Sequence, residues 1–204
     1  MLDAVLAFQQ IADKRSSILR KLDLPPNEYV LFTVHRAENT DSETHLANIL
    51  ELLAKLSQPV VFPVHPRTRD RIAQVPALKA QTQTLAQSGN VFMIDPVSYL
   101  DMLSLEGHAR VVMTDSGGVQ KEAYFLGVPC LTLRNETEWT ETLEGGWNRL
   151  VDTALGETVS LLDSLWKRNG KSPRAPRNLD SFGAGHAAEV LVQQLADFMS
   201  EAGN

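Results

Sequence analysis

The chain has 204 residues, 43% of them hydrophobic and 22% charged, with a formal net charge of −6. That balance suits one or two compact units with an apolar core, and no basic run interleaved with aromatics is present to meet a nucleic-acid backbone. The single cysteine excludes an internal disulfide, no CxxC or HExxH spacing points to a metal, and no apolar run is long enough to span a membrane.

The first segment, residues 2–22, places Leu2, Val5, Leu6, Ile11 and Leu19 roughly on one helical face, and Pro25 and Pro26 end it. It lacks a basic start and a small-residue cleavage site, so no signal peptide is expected and the cytoplasm is the expected compartment. Strands and helices then alternate. Strands are predicted at 29–34, 59–64, 91–94, 111–114, 129–133 and 148–151. Helices are predicted at 43–56, 99–106, 119–127, 158–168 and 187–199, and another starts at 68–74. The strands are continuous apolar runs rather than alternating ones, which is the pattern of a parallel sheet covered on both faces. The predicted fold is therefore α/β, a doubly wound parallel sheet of Rossmann-like type. Cys130, inside VPCLTL, reads as a small buried hydrophobe. Residues 170–178, GKSPRAPRN, read as a connector, and Gly183-Ala184-Gly185 as a turn and helix start rather than a dinucleotide fingerprint, because a loop precedes them.

In open α/β sheets the ligand lies beyond the carboxyl ends of the strands. The most informative of these ends is VVMT followed by Asp115-Ser116-Gly117-Gly118 and a helix. Ser116 can cap that helix, its first-turn N–H groups then face outward, and the paired glycines let an anion approach the backbone. Glu122, one turn further, can accept hydrogen bonds from a pair of sugar hydroxyls. The strand at 29–34 runs into His35-Arg36-Ala37-Glu38-Asn39, and the strand at 59–64 into His65-Pro66-Arg67. Two histidines and two arginines beside a glycine-rich helix start make a cationic pocket suited to a diphosphate. Glu38 can orient the neighbouring histidine and arginine. Trp139, in a polar loop, is a candidate for stacking on a base or sugar, whereas Trp166 lies on a helical stripe and belongs to the core.

The blocks TVHRAEN, PVHPRT, SYLDMLSL and TDSGGVQKEAYFLGVPCLTLRNETEWTETLEGGWNRLV resemble the non-hydrolysing UDP-N-acetylglucosamine 2-epimerases, in order, from about residue 24 to the C-terminus. Those enzymes have a GT-B fold of two Rossmann-like domains with the site between them. The resemblance covers only the second, nucleotide-binding domain. It implies a linker helix from a missing first domain at 1–22, a UDP-binding domain at 23–169, and a connector and C-terminal helix at 170–204. It implies that Ser116, Gly117 and Gly118 hold the diphosphate, that Glu122 binds the ribose, that His65 lies in the nucleotide pocket and that Arg36 helps neutralise phosphate. Glu38, Asn39, Met102 and Trp139 complete the expected substrate-binding set. His35 is the expected catalytic residue of this half, as base, acid or leaving-group stabiliser.

The implied reaction converts UDP-N-acetylglucosamine to UDP-N-acetylmannosamine by eliminating UDP to a glycal and adding it back, without a cofactor or metal. The expected partner is UDP or a UDP-N-acetylhexosamine, in a homodimer whose contact is the last helix, through Val190, Leu191, Leu195 and Phe198. Two departures stand out. Thr137-Glu138-Trp139-Thr140-Glu141 replaces the family's TERPE-like block, and Met102 stands where many members carry an aromatic. The lost arginine points to a related substrate such as a UDP-diacetamido uronic acid sugar. The half-domain also fits a GT-B glycosyltransferase, although HRAEN favours an epimerase. Because the family's acidic catalytic groups come from the first domain, these 204 residues alone are expected to be inactive.

Overall fold

The computed structural model of the chain describes residues 1–151, 155–167, 176–183 and 185–202. Six parallel strands form one sheet: β1 (Val30–Thr33), β2 (Val60–Pro63), β3 (Val91–Ile94), β4 (Val111–Thr114), β5 (Cys130–Thr132) and β6 (Asn148–Leu150). Their order is β3-β2-β1-β4-β5-β6, with every neighbouring pair parallel. The chain moves outward from β1 in one direction, then returns to β4 and moves outward in the other. The crevice between the ends of β1 and β4 is thus the topological switch point, where such sheets bind ligands.

All four residues of β1, β2 and β4 are buried, as their continuous apolar runs predict. Side chains alternate between two cores. Val30, Phe32, Phe62 and Met113 meet the helix α4 (Glu43–Lys55) and α9 (Leu155–Lys167) on one face. Leu31, Val61, Val112 and Cys130 meet α7 (Tyr99–Gly107) and α8 (Gly117–Leu126) on the other. Phe32 and Phe62 lie edge to face, 4.9 Å between centroids, and lock the β1–β2 pair. Cys130 is buried and free, as expected.

The first segment is not one helix. It divides into α1 (Leu2–Arg15) and α2 (Ile18–Lys21). Ser16 leaves the helix in an extended conformation, donates to Asp101 Oδ1 at 2.7 Å and accepts from the Ile18 amide at 3.2 Å. A serine that bonds laterally and caps the next turn ends a helix that periodicity alone would continue. α1 is part of this unit's core: Leu2, Val5 and Ala12 pack with Leu103, Tyr124 and Phe125.

Three further differences concern polar helices. α3 (Ala37–Thr40) and α6 (Pro76–Gln87) have no counterpart in the predicted elements, and α5 (Pro66–Gln74) begins at Pro66 rather than Thr68. α6 buries only Leu78, Thr82 and Leu85 among polar neighbours, so its apolar stripe is thin. Most of the expected connector, residues 170–175, lies outside the described residues. Its end is packed: Arg177 Nη1 donates to the Tyr124 carbonyl at 2.9 Å. Gly183 and Gly185 both take left-handed backbone and precede α10 (Ala187–Ala202), whose described side chains are exposed. Among the described residues, no helix is long and apolar enough to cross a membrane.

Candidate functional site

One carboxylate organises the mouth of the crevice. Asp115, directly after β4, is completely buried. It accepts from the His35 amide at 3.1 and 3.0 Å, from the Arg36 amide at 2.9 Å and from Asn39 Nδ2 at 3.0 Å. Below it, the Thr33 and Thr114 hydroxyls pair at 2.6 Å, and Thr114 Oγ1 also accepts from the Ser116 amide at 2.9 Å. The turn after β1 is therefore stitched to the turn after β4 by bonds to a charged acceptor in a dry setting, the stronger kind of hydrogen bond.

The stitching fixes His35. Its Nδ1 lies 3.5 Å from Asp115 Oδ1, and its ring stacks on His65 with centroids 4.8 Å apart. His65 caps α5, accepting the Arg67 amide through Nδ1 at 3.2 Å. That acceptance places any proton of the neutral ring on Nε2. Burial, with His35 facing it, holds the His65 pKa below the ordinary histidine value. The two rings, with Met102, Pro96, Val97 and Val119, line a mainly apolar hollow of about 200 Å³.

The opposite wall is the start of α8. Ser116 caps it, accepting the Val119 amide at 3.4 Å. A Cβ at Gly117 would lie 2.8 Å from Trp139 Nε1 and 3.6 Å from Arg36 Nη2, so the close approach of indole and guanidinium requires glycine there. Lys121 Nζ sits 3.3 Å from the Trp139 ring centroid, a cation–π contact. Arg36 Nη1 is 3.8 Å from Glu138. The first turn of α8 is thus ringed by Arg36, Lys121 and the indole, beside helix N–H groups that favour an anion. Glu122, one turn in, accepts from the Tyr99 hydroxyl at 3.2 Å, and burial pushes its carboxyl above the ordinary range.

Two expected residues point elsewhere. Asn39 is buried, and its amide is engaged by Asp115 and by the Leu133 carbonyl at 3.1 Å. Glu38 accepts from Arg134 Nε at 2.9 Å. Both border a separate polar hollow of about 450 Å³ with His45, Arg134 and Glu136. Arg134 also grips Glu138 through Nη1 and Nη2 at 2.9 and 3.2 Å, and its hydrogen bonds hold the exposed Glu138 carboxyl down at about 2. Lys121 and Arg134 are absent from the sequence reading, and Asp115 appears there as a strand-end residue without a role. A charged residue directly at the end of a fully apolar strand was the signal for Asp115, since a carboxylate there must be buried and must find donors. Among the described residues, no cluster of histidine, cysteine, aspartate and glutamate is suited to a metal.

Residues 1–196 match the family model described as UDP-N-acetylglucosamine 2-epimerase. The chain belongs to the UDP-N-acetylglucosamine 2-epimerase family.

Within that family it is 41% identical to a UDP-N-acetylglucosamine 2-epimerase homolog of Methanococcus maripaludis, over 96% of this chain and 52% of the relative. It is 38% identical to the UDP-2,3-diacetamido-2,3-dideoxy-D-glucuronate 2-epimerase of Pseudomonas aeruginosa, over 96% of this chain and 51% of that one. The crystal structure of the Methanocaldococcus jannaschii UDP-GlcNAc 2-epimerase in complex with UDP-GlcNAc and UDP superposes with a TM-score of 0.80 at 33% identity. It too covers 96% of this chain but 52% of its own. The chain thus spans about half the length of the relatives it matches. The part of the epimerase fold present here is a Rossmann-like half.

Proposed function

We propose that this chain is the nucleotide-binding half of a UDP-N-acetylglucosamine 2-epimerase. The observation that carries this is the joint between β1 and β4, where Asp115 brings the stacked His35 and His65 against the glycine start of α8. An apolar hollow beside a helix N-terminus suits a base next to a diphosphate. Ser116, Gly117 and Gly118 take the diphosphate, Arg36 neutralises it, Glu122 takes the ribose hydroxyls, and Met102 and His65 border the base. Trp139 covers the diphosphate from the solvent side. Glu38 and Asn39 serve as wall, through Arg134 and Asp115.

The chemistry divides between the two halves of the protein. In the elimination, a base removes the C2 proton, the C2–H electrons form the C1–C2 double bond, and the C1–O bond breaks with its pair leaving on UDP. Charge builds on the departing diphosphate, and the α8 start with Arg36 is placed to stabilise it. His35 contributes a proton or a hydrogen bond through the ring edge that Asp115 does not face. Re-addition of UDP and protonation of C2 from the other face complete the inversion. The acidic groups for C2 come from the other half of the protein, so residues 1–204 alone show no turnover. Measurable C2 inversion of UDP-N-acetylglucosamine by the purified chain would contradict this division.

A second substrate deserves the same assay. The resemblance puts Trp139 where many members carry the arginine of a TERPE-like block, and a relative at 38% identity is a UDP-2,3-diacetamido-2,3-dideoxy-D-glucuronate 2-epimerase. With the companion half restored, turnover of the two sugar nucleotides side by side decides between them. The homodimer belongs to the same proposal: Val190, Leu191, Leu195 and Phe198 of α10 are all more than half exposed. Light scattering that reports a monomer at high concentration removes it.

A further inference from the structure

Glu106, on the last turn of α7, is completely buried, and neither carboxylate oxygen receives a hydrogen bond from an ordinary donor among the described residues. An isolated buried carboxylate is among the most costly groups a protein can hold. α7 packs against α8, and the Glu122 carboxyl of α8 is the neighbouring group that acts most strongly on it. Two ionised carboxylates have no donor between them, so a bond across this pair requires one proton.

The surroundings decide which partner holds it. Tyr29, ahead of β1, spends its hydroxyl on the Leu105 carbonyl at 2.6 Å, and burial pushes its pKa up. Cys130 on β5 is buried, and its thiol is pushed up to about 12. Both neighbours stay neutral and give Glu106 no positive charge. Glu122 has the Tyr99 hydroxyl at 3.2 Å and Lys121 on its own helix, and each favours its charged form.

We propose that Glu106 is a positioning residue for Glu122: the two carboxyls share one proton, held on Glu106, which fixes Glu122 as the charged acceptor for the ribose hydroxyls. This rests on the ribose role given to Glu122 above. The shared bond and the Tyr99 hydroxyl occupy two of the acceptor sites of the Glu122 carboxylate and leave the others to the ligand. It also makes recognition of the ribose depend on pH, since protonating Glu122 removes the charge that strengthens its acceptance and turns one oxygen into a donor.

Two measurements on the full chain test this separately. Glutamate labelled with ¹³C at the side-chain carboxyl should show one glutamate protonated at neutral pH, and Glu106→Gln should remove that signal. UDP and 2′-deoxy-UDP, titrated calorimetrically, should differ by about tenfold in affinity near neutral pH, the loss of one hydrogen bond to a charged group. That discrimination should fade as pH drops. Glu106→Gln retains an N–H donor and should keep the discrimination. Glu106→Leu removes the donor, raises the Glu122 pKa and should shift the fading to higher pH. No protonated glutamate, a signal that survives Glu106→Gln, or an unchanged pH profile in Glu106→Leu overturns the shared proton. Equal binding of the two nucleotides with the protonated signal present instead removes the ribose role of Glu122, and the positioning task with it.

Discussion

The crevice is built from two kinds of structure, and they differ in what holds them. Its inner joint, between the ends of β1 and β4, hangs on Asp115, which is fully buried and takes two backbone amides and one side-chain amide. Its outer rim, residues 134–142, is held by side chains: Arg134 grips Glu38 and Glu138, and Trp139 rests under Lys121. The carboxylates of the rim are more than half exposed, while the Arg134 side chain is 4% exposed. Backbone donors to a buried charge have no alternative partner when it is lost, whereas exposed ion pairs exchange readily with water. The joint therefore sets geometry, and the rim is free to set specificity.

The sharpest way to break this comparison is at the joint. Asp115→Ala strands the His35 and Arg36 amides and should destabilise the fold by about 3 kcal/mol in urea unfolding, since it leaves buried donors unpaired. A loss no larger than that of a rim variant would erase the distinction between the two regions. Gly117→Ala comes next. Its Cβ must push Trp139 aside and crowd the proposed diphosphate position, so UDP affinity should fall by roughly tenfold with little change in unfolding midpoint. The double variant with Trp139→Ala should recover part of that affinity if crowding is the cause.

Rim changes should be smaller. Arg134→Met releases Glu38 and Glu138 together and should cost about 1–2 kcal/mol, because the guanidinium itself is buried and charge-paired. Glu138→Gln removes an exposed partner and should leave the unfolding midpoint nearly unchanged. The least effect is a pH dependence. His65 has a folded pKa below its unfolded value, so the unfolded chain binds the proton more readily. Stability from this group is complete above the unfolded value and is lost as pH falls below about 6.5, the ordinary histidine pKa. His65→Asn, which can still cap α5, should flatten that part of a melting-temperature profile between pH 7 and 5. An unchanged slope would show that another group titrates there.

The same contrast explains what could be read in the sequence. Continuous apolar runs announced β1, β2 and β4, and the residues after them announced His35, His65 and Ser116. Each of those signals is local. The site's framework is not local: Asp115 was visible as a strand end, but its partners lie about 80 residues earlier, across a crossover. Arg134 reaches Glu38 over a separation of 96 residues. The carboxyl pair of Glu106 and Glu122 was hidden because Glu106 sits on a helix whose periodicity accommodates a polar residue at its end. α6 went unread because burial of one thin stripe, rather than composition, makes it a helix. The break at Ser16 depends on Asp101, a tertiary partner that no helical pattern reveals.

Nucleotide binding at the switch point is the property on which the proposed role depends. Calorimetric titration of UDP into the chain and into Glu122→Gln tests it most directly. Binding by the chain that weakens by about tenfold in the variant is predicted, as one charge-assisted hydrogen bond to the ribose is lost. Absence of UDP binding by the chain, or equal affinity in the variant, would contradict it.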